Sequence, residues 1–188
     1  VVSTYRGDDL YGIVGDVGRY TLKGSVLVAL SQLFALFADE IMVVSAHMGQ
    51  RLIRRDYQLI PSGIDLEHFK PMPRAEARRR LGWPQDARIV LFAAMKSNQL
   101  NKRKRLDLAK AAVEKINASF PVELQMALDV PPQDMPLYMN AADALLLTSL
   151  HEGSPNVVKE ALACNLPVVS VDVGDVRVRL DGVSYSGV

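Results

Sequence analysis

Apolar positions along this chain follow two regimes, split near residue 88. Beyond that point short apolar runs alternate with stretches of helical periodicity. The runs 88–94, 123–128, 144–148 and 167–172 have strand length and are bounded by polar or turn residues. Between them Leu106, Ala109, Val113 and Ile116 recur at helical spacing, which predicts a helix over 103–116; shorter helices are predicted over 135–142 and 155–163. Strands alternating with helices predict a parallel, doubly wound sheet with right-handed crossovers. Asn165 follows the last of these helices, where a left-handed residue is wanted, and Pro167 prevents the helix from continuing.

Residues 1–60 read as a second α/β unit. A strand (1–4) precedes a Gly- and Asp-rich loop, a long helix (20–38), a strand (40–45) and a short helix (47–54). Two strands are too few for a stable sheet by themselves. Punctuation by Pro61, Gly63, Pro71 and Pro73 predicts a linker over 61–73, with the second domain over 74–188. The most apolar segment, 25–38, is shorter than the ~20 residues of a membrane span and contains Ser31 and Gln32, so it predicts a buried core helix. The chain opens on Val1 in strand-like residues, which reads as a fragment truncated at both ends and expected to show little activity alone.

Composition narrows the function classes. The 188 residues carry a formal net charge of +1 and are 49% hydrophobic, which fits a globular domain and gives no bulk attraction to nucleic acid. The basic run Lys102-Arg103-Lys104-Arg105 is short and has no interleaved aromatics, so it reads as a helix start or a phosphate contact. Cys164 is the single cysteine; no internal disulfide can form, and a cytoplasmic location fits. His47, His68 and His151 lack metal-ligand spacing, so no metal is expected. Gly12, Gly15 and Gly18 do not spell a dinucleotide fingerprint, and no P-loop occurs.

Chemistry concentrates in His151-Glu152-Gly153-Ser154-Pro155-Asn156-Val157-Val158-Lys159-Glu160. Ser154 is suited to cap a helix and Pro155 to its first position. The amides of such a terminus, with the helix dipole, attract an anion. Glu152 and Glu160, with seven residues between them, are left to accept hydrogen bonds from hydroxyls beside it. A phosphate flanked by polyols describes a nucleotide sugar.

These residues, with the connector "LIPSGIDLEHFKP" and the loop "STYRGDDLYG", resemble the glycosyltransferase family 4 enzymes of the GT-B fold, across nearly the whole chain. The resemblance implies an incomplete Rossmann-like N-terminal part and a doubly wound donor-binding domain. It implies a retaining, hexosyltransferase-like transfer of sugar from a nucleotide-diphosphate donor to a carbohydrate or lipid-linked acceptor hydroxyl. Glu152 would contact donor-sugar hydroxyls, Glu160 the ribose diol, and the backbone of Gly153, Ser154, Pro155, Asn156 and Val157 the diphosphate. Lys104 matches a Lys that stabilises the leaving phosphate, so Lys104 and Glu152 are the catalytic candidates. The usual partner Arg is replaced by Met95 and a common Gly by Ala94, with Lys96 adjacent; a catalytically degenerate nucleotide-binding module is the alternative. Arg6 stands where many relatives carry a His and could bind an anionic acceptor, while Asp9 is the candidate for the acceptor hydroxyl. Gly174 fits a family loop, and Val178 replaces a commonly acidic residue. No cofactor, nucleic acid or membrane span is implied; peripheral membrane contact of the full-length protein remains compatible.

Overall fold

A computed structural model describes residues 1–15, 19–94 and 102–188. Two parallel sheets organise them. The first runs β1 (Val2–Tyr5), β2 (Glu40–Val43), β3 (Gln58–Leu59) in that order, with α1 (Asp8–Tyr11), α2 (Leu22–Phe37) and α3 (Ala46–Gly49) between strands. Thus the two-strand expectation needs correcting. The third strand is two exposed residues paired to Met42 and Val43, too short to show alternation.

The predicted core helix also needs correcting. Thr21 caps α2, its hydroxyl accepting from the Gly24 N–H at 3.0 Å. Only Gly24, Ser31 and Ala35 of this helix are buried, whereas Leu22, Val26, Leu30, Leu33, Phe34 and Phe37 are exposed. A helix that is apolar all round needs cover on every side. Here the described residues cover one. Gln32, one of the few polar residues of α2, ties the helix to the chain after α3. Its amide donates to the Arg51 carbonyl at 2.8 Å and accepts from the Ile53 N–H at 2.9 Å.

The second sheet has the order β5–β4–β6–β7, all parallel, from β4 (Ile89–Ala94), β5 (Glu123–Leu128), β6 (Ala144–Leu147) and β7 (Val168–Ser170). Around it lie α4 (Arg74–Leu81), α5 (Leu106–Asn117), α6 (Met135–Ala141), α7 (Asn156–Ala163) and α8 (Val176–Leu180). Leu91, Leu145, Val158, Val168 and Val176 are among the core residues, all at most 1% exposed. One buried cation is fully satisfied: Arg78 donates to the carbonyls of Ala141, Gln85 and Ala87 and to Asp143, which also accepts from the Ile89 N–H.

The end of α7 forms as its residues dictate. Asn165 adopts φ 58°; the Leu166 N–H reaches the Ala161 carbonyl at 2.9 Å and the Asn165 N–H the Leu162 carbonyl at 3.0 Å, a Schellman pattern. The connector lies on the second sheet's helices: Asn140 accepts from the Met72 N–H and donates to the Lys70 carbonyl, and Lys159 Nζ donates to the Ser62 carbonyl at 2.7 Å.

Candidate active site

Strand order decides where this fold can bind a ligand. From β4 the chain crosses to β5 on one side, and later from β6 to β7 on the other. Loops leaving the carboxyl ends of β4 and β6 therefore diverge and leave a crevice between them. The β6 loop carries Thr148 to Pro155, and the described part of the β4 loop brings in Lys102 to Arg105.

Hydrogen bonds stitch these loops together. The Leu150 N–H donates to the Arg103 carbonyl at 2.8 Å, and the Thr148 hydroxyl donates to the Lys104 carbonyl at 2.7 Å, with the Arg105 carbonyl at 2.9 Å. Arg105 has φ 55°, an unfavourable region for a side chain with a Cβ. That turn aims the Lys104 side chain at the crevice. Its ammonium donates to Glu152 Oε1 at 2.6 Å, and the Arg103 guanidinium lies 3.9 Å from Oε2. Burial alone would raise the Glu152 carboxyl, but the Lys104 and Arg103 charges outweigh it and hold the group below its ordinary 4.5. Glu152 is thus ionised and 8% exposed, a buried charge kept by two cations.

Around the N-terminus of α7 the geometry departs from expectation. Pro155, rather than Ser154, is the cap residue, and its carbonyl accepts from the Val158 N–H at 3.2 Å. The Ser154 hydroxyl instead donates to Asp175 Oδ2 at 2.8 Å, which Arg179 also reaches at 2.9 Å. An ionised carboxylate is a stronger acceptor, and this draws Ser154 away from the helix. The Asn156 and Val157 N–H groups have no hydrogen-bond partner among the described residues. They remain available to an anion. The Asn156 side-chain oxygen is buried there without a partner among the described residues. Glu160 lies half-buried on α7; burial raises its carboxyl, opposed by Lys159 and His68.

Gly153 sits where only glycine fits. A Cβ there would lie 2.3 Å from the Arg6 carbonyl oxygen and 2.7 Å from the Met48 sulfur. Gly174, at φ +59°, in turn stacks on the Gly153 and Glu152 carbonyls. Backbone thus meets backbone across the two sheets' loops.

On the N-terminal side, Asp9 accepts from the Arg6 N–H at 2.9 Å and the Gly7 N–H at 2.8 Å, so both oxygens serve its own turn. Arg6 reaches the Ser62 hydroxyl at 3.5 Å. The neighbouring Asp8 is the carboxylate that crosses the cleft, 3.5 Å from His151 Nε2 and 3.6 Å from Arg103. A hydrogen bond from His151 holds its carboxyl below the ordinary range. His151, 5% exposed, stacks on Tyr11 at 5.0 Å and Tyr20 at 5.9 Å. Sequence reading passed over Asp8 and Thr148, took Arg103 only as part of a basic run and weighed His151 only as a metal ligand; nothing local marked their convergence on Glu152. Val178 is exposed, and Met95 and Lys96 lie outside the described residues.

Residues 86–185 match the family described as Glycosyl transferases group 1, and the chain belongs to that family. Similar proteins include a D-inositol 3-phosphate glycosyltransferase of Geodermatophilus obscurus, 30% identical over 85% of this chain and 42% of its own length. The chain therefore spans less than half of that relative. Among solved structures, sucrose-phosphate synthase from Thermosynechococcus elongatus aligns with a TM-score of 0.68 at 20% identity, covering 95% of this chain and 52% of its own. HepE of Anabaena, solved with UDP-glucose, aligns at 0.64 and 17% identity over 93% of this chain and 54% of its own. These likenesses show the fold, a GT-B type α/β architecture with parallel sheets.

Proposed function

We propose that this protein is a retaining glycosyltransferase of family 4, which moves a sugar from a nucleotide-diphosphate donor to an acceptor hydroxyl. One observation carries the reading: the Lys104–Glu152 pair, 2.6 Å apart at the strand-order crevice, beside free amides of α7. The diphosphate would lie against the Asn156 and Val157 N–H groups, with Lys104 and Arg103 meeting the charge that develops as it leaves. Glu152, released from Lys104, would accept hydrogen bonds from sugar hydroxyls, and Glu160 would hold the ribose diol. With cations and amides meeting the diphosphate, the protein needs no metal. HepE, of the same fold, was solved with UDP-glucose, and the glycosyltransferase name of the Geodermatophilus relative fits the same reading.

Calorimetry with UDP and GDP on the chain tests this. Micromolar binding that survives EDTA and weakens about tenfold or more in Lys104→Ala is expected. Absence of binding to either nucleotide would overturn it. Binding without donor hydrolysis in the intact protein would favour the degenerate module, which the Met95 replacement motivates.

A further inference from the structure

The four-stranded sheet treats its two edges differently. At one edge the chain itself closes β7. Gly187 bridges Val169 there, its N–H donating to the Val168 carbonyl at 2.9 Å and its carbonyl accepting from the Ser170 N–H at 3.0 Å. At the other edge β5 pairs with β4 from Glu123 to Leu128, and with nothing beyond it among the described residues. Edge strands in soluble proteins are commonly blunted by proline, lysine, a bulge or short length. β5 has none of these: its six residues run in unbroken register, and their one charge, Glu123, stands at the first position. From its end the chain passes through α6 to β6, on the far side of β4.

An apolar groove runs beside this edge. Its volume is about 450 Å³; Lys110, Val113 and Glu114 of α5 form one wall, and Val122, Leu124 and the exposed Met126 form the floor. α5 touches β4 and β5 alike, so it lies over the line between them. A twofold axis through Gln125, perpendicular to the sheet, would pair β5 antiparallel with β5 of a second copy. Leu124 would then face Met126 of the second copy, twice, on the groove side, and Glu123 would face Ala127 and not another Glu123. With strands about 4.8 Å apart, the two α5 helices would lie about 10 Å apart, the spacing at which helices pack. Lys110 and Glu114 have no ion-pair partner among the described residues. Antiparallel α5 helices would set each lysine against the glutamate of the other copy.

We propose that the β5 edge is a homodimer interface. Two copies of this chain join edge to edge into one eight-stranded sheet and close the groove between their α5 helices. The contact is isologous, so association stops at two. Antiparallel strands put the carboxyl ends of β4 and β6 of the two copies at opposite ends of the joined sheet. Each Glu152 crevice therefore stays open to solvent, and the inference stands whatever that crevice binds.

Sedimentation velocity on the chain carrying Phe34→Lys tests it, because that substitution removes the apolar face of α2 as a rival surface. A dimer at micromolar concentration, with no larger species, is expected. Adding Met126→Lys should weaken it about tenfold or more, by placing a lysine on the open edge. Lys110→Glu should weaken it about fivefold, and Lys110→Glu combined with Glu114→Lys should restore the original affinity. Circular dichroism melts tell a misfolded Met126→Lys chain from a dissociated one, and the charge variants lie on an exposed helix face where the fold does not depend on them. A chain that is monomeric at every concentration, a dimer indifferent to Met126→Lys in the folded chain, or charge reversal without rescue overturns the proposal.

Discussion

The two sheets bury their helices very differently. Around the four-stranded sheet, α7 turns Val158 and Ala161 into the core and spends its polar face on Lys159 and Glu160. Around the three-stranded sheet, α2 is apolar on all sides yet leaves Phe34 65% and Phe37 76% exposed. The amphipathic helix is finished by its own chain. Apolar content alone does not tell burial; the covering surface must exist.

The sharpest break would come at the crevice. Glu152→Ala in the intact protein should lower donor turnover a hundredfold or more, about 3 kcal/mol of transition-state stabilisation. Steady-state kinetics would show it, and unchanged turnover would remove Glu152 from the site.

Lys104→Ala should cost about 3 kcal/mol of stability, because it leaves the Glu152 carboxylate buried with only Arg103 nearby. The pH dependence should reverse as well. In the natural chain the Glu152 carboxyl is depressed, so its contribution is present above the unfolded value near 4.5 and is lost as pH falls through the folded one. Without Lys104, burial should dominate and raise the carboxyl, so acidification from neutrality would stabilise the variant. Urea melts across pH would reveal either slope.

A smaller effect belongs to the end of α7. Asn165→Ala should cost about 1 kcal/mol because at φ 58° the short polar side chain of Asn tolerates the left-handed region and that of Ala does not, whereas Asn165→Gly should be nearly neutral. Thermal melts of the pair would decide between backbone strain and side-chain contacts.

Smallest of all should be Phe34→Lys on α2. With that side chain exposed, stability should change by less than about 0.5 kcal/mol, while sedimentation should report less self-association. A large loss of stability would show that the face is covered after all.

How much was legible follows from which forces act locally. Strands β4 to β7 and Asn165 could be read in sequence, since strand-length apolar runs and a left-handed terminus leave local marks. Glu152 and Lys104 were visible as residues of the right kind, although their contact joins positions 48 apart. Ser154 was misread because Asp175, 21 residues on, competes for its hydroxyl. The strand Gln58–Leu59 left no periodic trace. Contacts of His151 with Asp8, Tyr11 and Tyr20 bridge more than 130 residues, and no local pattern encodes them.

Where Gly153 meets the Arg6 carbonyl, the spacing between the two lobes is fixed by main-chain thickness, with no rotamer to adjust it. A methyl group added there would act as a wedge, prising the two loops apart. The aperture of the cleft is thus written into a single missing carbon.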